Sequence, residues 1–201
     1  MARQVGEKMR VSSLALALGA TMATAGCATA PVSRPAPVSA AAAPEPQPIP
    51  YRWTHGHSEK AHKAMLATFS RGGLAPGEFV WASKLPTEGE PKVVVDLVTQ
   101  TVYAYRGEQL VGASAISSGK QGKGTPLGYW PVLEKKKLHR SRKYNNAPMP
   151  FMQRLDEFGI ALHGGLNPGY PASHGCVRMP MKFAEKLYAL TKVGTQVVIE
   201  G

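Results

Sequence analysis

The sequence predicts a mainly β domain, β-rich α+β in class, and three observations carry the expectation. Its 201 residues hold 21 Gly and 17 Pro, a content that works against long helices. Runs of β-branched and aromatic residues recur between 92 and 116, separated by short turns. One stretch of helical period follows Pro180 and leads into a last β-branched run at the C-terminus. With 43% hydrophobic and 18% charged residues, the chain can bury one core, and its length leaves room for one ordinary domain plus a tail.

The tail comes first. Arg3, Lys8 and Arg10 precede an apolar stretch from Val11 to Gly26, and small residues follow, the pattern of an export signal over residues 1–27. Ser12, Ser13, Thr21 and Thr24 interrupt the stretch, which falls short of the roughly 20 apolar residues that a membrane span needs. It ends in Thr24-Ala25-Gly26-Cys27, which resembles a bacterial lipoprotein lipobox and makes Cys27 a candidate for lipidation. Ordinary cleavage after Ala25 or Ala30, with Cys27 incidental, is the alternative. Residues 28–50 carry seven Pro and seven Ala, a composition that favours extended polyproline II over any core. At roughly 3.1 Å per residue such a tether reaches about 70 Å from a membrane surface. A leader with no spacing role fits the same composition.

Residues 51–90 read as an N-terminal extension, and residues 91–201 as the main domain. In the extension, Ser58 to Phe69 predicts a short helix with Ser58 as N-cap and Ala61, Met65, Leu66 and Phe69 at helical spacing. Lys92 to Val98, Thr101 to Tyr105 and Leu110 to Ile116 predict an antiparallel meander. Ser117 to Gly128 contains Gly119, Gly122, Gly124 and Gly128, so the backbone there turns sharply or approaches something closely. The Gly, Lys, Ser/Thr order of a phosphate-binding P-loop is missing from it. Gly159 to Leu162 predicts a strand ending at His163. Pro180 opens an amphipathic helix with Phe183, Ala184, Leu187 and Leu190 on one face, Gly194 closes it, and Gln196 to Ile199 forms a final strand.

Lys and Arg outnumber Asp and Glu by 24 to 13, a net charge of +11 that suits acidic partners. The densest run, Lys135 to Lys143, is either a solvated flap or a patch that steers an acidic cell-wall substrate. Nucleic acid is excluded as a partner, because binding it would want stacking aromatics interleaved with the cations, and only Tyr144 follows.

The two cysteines, Cys27 and Cys176, are too few for a disulfide scaffold or a thiolate zinc cage. Cys176 has no partner that survives processing, so a lone thiol in an oxidising compartment needs a chemical reason. His163, His174 and Arg178 lie within fifteen residues of it. A nearby base raises the thiolate fraction of a cysteine, and a base at a strand end beside a nucleophile on a loop suits a Cys-His pair. Gly175 lets consecutive backbone N–H groups point at one spot, which favours attack on a carbonyl. Zinc held by one thiolate and two imidazoles, and an inert buried cysteine, are the competing readings.

Ser173-His174-Gly175-Cys176-Val177-Arg178-Met179, preceded by Leu162-His163-Gly164, closely resembles the signature of the L,D-transpeptidase (YkuD) catalytic domain family. Val93 to Ile116, Ser118-Gly119-Lys120 and Thr125-Pro126-Leu127-Gly128-Tyr129-Trp130 also resemble that family, so the likeness covers residues 91–201. The resemblance implies a β-sandwich of mixed sheets with a C-terminal helix. It implies Cys176 as nucleophile, His163 as its general base and the Gly164 carbonyl orienting the imidazole. His174 would line the site, the N–H groups of Gly175 and Cys176 would hold an oxyanion, and Ser173 would fix the loop. Arg178 would brace that loop or face a substrate carboxylate. The implied reaction attacks a peptidoglycan tetrapeptide stem, releases D-alanine through a thioester and passes the acyl group to an amine. Water as acceptor would make a carboxypeptidase, and a non-catalytic wall-binding lipoprotein is the reading from another class. No metal or organic cofactor is implied.

Overall fold

A computed structural model describes residues 51–201. The export signal, the lipidation candidate Cys27 and the Pro/Ala-rich tether lie outside the described residues. In chain order the elements are α1 (His57–Phe69), β1 (Phe79–Trp81), β2 (Pro91–Asp96), β3 (Thr101–Arg106), β4 (Gln109–Ala115), β5 (Gly128–Pro131), β6 (Glu134–Lys136), β7 (Met152–Arg154), β8 (Ala161–Gly164), β9 (Val177–Met179), α2 (Met181–Leu190) and β10 (Gln196–Glu200). None of the described helices is long and apolar enough to cross a membrane.

The strands form a six-stranded sheet, β1-β4-β3-β2-β10-β5, and a four-stranded sheet, β6-β7-β8-β9. Both are mixed, because β10 runs parallel to β2 and β9 parallel to β8. The expected meander is present as β2, β3 and β4, with Val94 opposite Tyr103 and Tyr103 opposite Ala113. Strand alternation sorts its side chains into two layers. Val93, Val95, Val102, Ala104 and Val111 face inward and meet Leu162, Val177 and Met179 of the second sheet together with Phe183, Ala184 and Leu187 of α2. Val94, Tyr103, Tyr105 and Ala113 face the other way, under Ala61 and Met65 of α1. The second sheet therefore has its inner face in the core and its outer face free to build a site.

Two helix ends differ from expectation. Ser58 is fully buried inside α1, and the N-cap position belongs to Gly56, which makes no side-chain cap. The cap comes from the last strand: the Glu200 carboxylate accepts the N–H groups of His55 at 2.6 Å, His57 at 3.2 Å and Ser58 at 2.6 Å. Those amides hold its carboxyl below the ordinary carboxylate range although burial pushes the other way. The arm before α1 is tied to the same region, because Trp53 and Gly201 exchange backbone hydrogen bonds of 2.7 and 3.1 Å and the Tyr51 hydroxyl donates to Asp96 at 2.7 Å. At the other end of the chain, α2 stops at Leu190 rather than at Gly194. Thr191 ends it by donating its N–H at 3.0 Å and its hydroxyl at 2.9 Å to the Leu187 carbonyl. Strand β1 was not anticipated; it pairs with β4 and lays Trp81 on Phe183 with ring centroids 5.4 Å apart.

Candidate active site

Strands β8 and β9 pair in parallel, Leu162 beside Val177 and His163 beside Arg178. Leu162, Val177 and Met179 go to the core, so alternation sends His163, Arg178 and Cys176, one residue before β9, to the outer face. There they line one groove of about 760 Å³. Met149, Met152 and Ala161 make the apolar wall on which Cys176 packs.

His163 lies near the end of β8 as expected, one residue before its last, and is 7% exposed. Its Nδ1 is 2.9 Å from the Gly164 carbonyl oxygen. A carbonyl can only accept, so Nδ1 carries the proton and Nε2 is the ring's lone-pair nitrogen. Burial, reinforced by the positive charges of Arg178 and His139, lowers the imidazole pKa below its ordinary value against the opposing pull of the Gly164 carbonyl. Gly164 is closely packed: a Cβ there would lie 2.9 Å from Met181 Sδ, which would have to shift.

Cys176 is half-buried, and its thiol donates to the Gly159 carbonyl at 3.6 Å. Burial pushes the thiol pKa up, and Asp156 adds to the rise, while the Ala161 N–H and Arg178 work against it. At rest the groove therefore holds a neutral thiol and a neutral imidazole. This departs from the raised thiolate fraction expected from the neighbouring basic residues, because the apolar wall of methionines desolvates the sulfur.

The loop before β9 is held from within. Gly175 has φ 120°, and a Cβ there would lie 2.5 Å from Ile160 Cδ1, so only glycine fits. Ser173, 6% exposed, donates its hydroxyl to the Cys176 carbonyl at 2.5 Å and accepts the Gly175 N–H at 3.0 Å. Of the two amides expected to face an oxyanion, that of Gly175 is thus engaged by the loop. The Cys176 N–H makes no hydrogen bond to the described residues. The glycine-rich segment 117–128 buttresses the loop from outside the groove: the Ser118 carbonyl accepts the N–H groups of Ala172 at 3.0 Å and Ser173 at 2.9 Å, and the Thr125 hydroxyl donates to the Gly175 carbonyl at 2.8 Å.

A strand-borne imidazole locked by its own backbone, beside a cysteine at a glycine bend, can perform acyl transfer. Residues 90–199 match the family model of the L,D-transpeptidase catalytic domain, YkuD. The chain belongs to this family. Its structure is similar to the L,D-transpeptidase from Stackebrandtia nassauensis, at 28% identity and a TM-score of 0.52, over 59% of this chain and 58% of that one. It also resembles those from Mycobacterium smegmatis (19% identity, TM-score 0.51, over 56% of this chain and 59% of that one) and Mycobacterium tuberculosis H37Rv (19%, 0.52, 55% and 58%), which bear on the fold alone. The chain thus spans under two thirds of the length of these structures. No curated protein matches it.

The remaining candidates of this L,D-transpeptidase domain divide by position. Arg178 donates from Nη2 to the Ser117 hydroxyl at 3.2 Å, and that hydroxyl donates to the Tyr170 carbonyl at 2.8 Å, so the guanidinium braces the loop while lining the groove. His174 is exposed and stacks on Tyr144, with centroids 4.4 Å apart and planes at 18°. The basic run splits. Lys135 turns away from the groove, donating to the carbonyls of Tyr188 at 2.6 Å and Thr191 at 2.5 Å, and Lys136 pairs with Glu134 at 2.6 Å. Lys136, His139, Arg142 and Lys143 all line the groove, and Lys143 donates to the Phe158 carbonyl at 2.9 Å. His139 falls in the run expected to form a flap or steering patch, whereas Asp156 gives no signal in the sequence, since nothing local ties the 156–159 turn to the cysteine. Among the described residues, no three His, Cys, Asp or Glu side chains are placed to hold a metal ion.

Proposed function

We propose that this chain is a peptidoglycan L,D-transpeptidase that works through a thioester on Cys176. The observation that carries the reading is His163, on the same sheet face as Cys176 and fixed by Gly164 as the Nδ1–H tautomer. Nε2 takes the thiol proton as Sγ bonds to the carbonyl carbon of a stem peptide. The carbonyl π pair moves to oxygen, where the Cys176 N–H receives it. Collapse of that oxyanion breaks the C–N bond to D-alanine, whose departing nitrogen takes the proton back from His163. An amine of a second stem, or of a wall-anchored protein, then attacks the thioester and restores the thiol. Arg142, Lys143 and Arg178 put cations in the groove lining, suited to stems that bear carboxylates. Export through residues 1–27, with lipid on Cys27 and residues 28–50 as a spacer, places the domain in the envelope where such stems occur; the basic start and the short apolar run support that placement.

One solved L,D-transpeptidase of the same fold is a complex with imipenem, at 17% identity and a TM-score of 0.50. A carbapenem is accordingly the probe. Intact-mass analysis of the described domain incubated with imipenem should show one covalent adduct, absent in Cys176→Ala; equal labelling of both proteins contradicts the assignment. With purified tetrapeptide stems, dimeric products are expected. Released D-alanine without dimers would instead make water the acceptor.

A further inference from the structure

We infer that Thr125 is a positioning residue for the oxyanion donor: its hydroxyl, through the Gly175 carbonyl, sets the direction in which the Cys176 N–H points. The inference rests on the acyl-transfer reading above and adds to it a residue fifty positions from Gly175. Thr125 is 7% exposed, and its hydroxyl serves two backbone groups at once. It accepts the N–H of Gly119 at 2.9 Å and donates to the carbonyl of Gly175 at 2.8 Å. The accepted bond fixes the hydroxyl in place, because Gly119 folds directly back on this segment: a Cβ there would lie 2.7 Å from the Thr125 nitrogen.

The Gly175 carbonyl and the Cys176 N–H belong to one planar trans peptide unit and point in opposite directions. Thr125 lies outside the groove and Cys176 lines it. A carbonyl anchored on Thr125 therefore turns the Cys176 N–H towards the groove. Gly175, with φ 120°, has the freedom to let this peptide plane rotate, so something must hold it. The Gly175 N–H does not compensate, because it is committed to the Ser173 hydroxyl at 3.0 Å. With the Gly175 amide engaged, the angle of the Cys176 amide decides how well charge on the carbonyl oxygen is met as Sγ bonds to carbon and the π pair moves to oxygen.

Two reactions of the same sulfur separate this role from mere structural support. Acylation by imipenem builds an oxyanion as the thiol adds to the β-lactam carbonyl and the C–N bond breaks. Alkylation by iodoacetamide displaces iodide at a saturated carbon and needs no oxyanion donor. In Thr125→Val, imipenem acylation is expected to slow about 30-fold, less than the roughly 100- to 1,000-fold lost when an oxyanion donor is removed outright because here the donor is misaimed and not deleted, while iodoacetamide alkylation at Cys176 stays within about twofold. Thr125→Ser, which restores the hydroxyl, should acylate within about threefold of wild type. If Thr125→Val does not fold, as judged by thermal unfolding, Thr125→Ala is measured in its place with the same expectations. Equal slowing of both reactions, no slowing of acylation, or failure of Thr125→Ser to recover overturns the inference. A wild-type protein that alkylates at Cys176 but forms no imipenem adduct overturns the acyl-transfer reading itself, and this inference with it.

Discussion

The two ends of the sandwich treat buried polar groups in opposite ways. Under α1, fully buried Glu200 has both carboxylate oxygens occupied by backbone amides, and Asp96, 1% exposed, accepts from Tyr51, Val98 and Thr99. On the outer face of the second sheet, His163 spends Nδ1 on Gly164 and keeps Nε2, and the loop uses the Gly175 N–H but leaves that of Cys176. Committing every group to a partner fixes a chain segment in place. Holding a group rigidly while leaving one valence open builds a reactive site at some cost in stability. The contrast teaches where to expect activity effects and where to expect only stability effects.

That contrast can be broken most severely at the sulfur. Cys176→Ala is expected to abolish the imipenem adduct while leaving unfolding within about 1 kcal/mol of wild type, since the change removes one half-buried atom; chemical denaturation measured beside intact mass checks both. Next, His163→Gln should slow acylation about a thousandfold, the scale of a lost general base, read as the single-turnover rate with imipenem at neutral pH. At the other end the signature reverses. Glu200→Gln should cost about 2–3 kcal/mol in urea unfolding, the scale of charged hydrogen bonds weakened at once, with acylation unchanged. The pH dependence has a definite sign. The Glu200 carboxyl is held below its ordinary range in the folded chain, so its contribution is full above an unfolded value of about 4.3 and is lost as pH falls through the lower folded value. Glu200→Gln should therefore flatten the acid limb of stability against pH, and an unaltered limb would deny the cap. The smallest effect is expected at the flap: Tyr144→Ala removes the stack on His174 and should raise the imipenem concentration for half-maximal rate about three- to tenfold, with little change in the maximal rate.

What was legible in the sequence was local. The meander declares itself because β-branched runs and the short turns between them lie within one stretch of chain, and the α2 face because Phe183, Ala184, Leu187 and Leu190 recur at helical spacing. The cysteine turn was legible for the same reason, Ser173, Gly175 and Cys176 being neighbours that bond to one another. What failed was long-range. Ser58 reads as an N-cap by its chemistry, yet a carboxylate 142 residues away takes its amide. Lys135 reads as part of a cationic patch, yet it caps a helix end more than fifty residues on. The thiol reads as activated by nearby cations, whereas Met149 and Met152, brought in by a different hairpin, dehydrate it and push its pKa the other way.

That last reversal makes the pH dependence of acylation the most direct test of the central claim, that neutral His163 removes the proton from a neutral thiol as the carbonyl is attacked. Single-turnover acylation by imipenem should rise through the pKa of His163, held below about 6.5 by burial, and stay level through neutral and mildly alkaline pH. The limb should disappear in His163→Gln. A wild-type rate that keeps climbing about tenfold per pH unit past neutrality, in step with free thiolate and unaltered by that substitution, would contradict it.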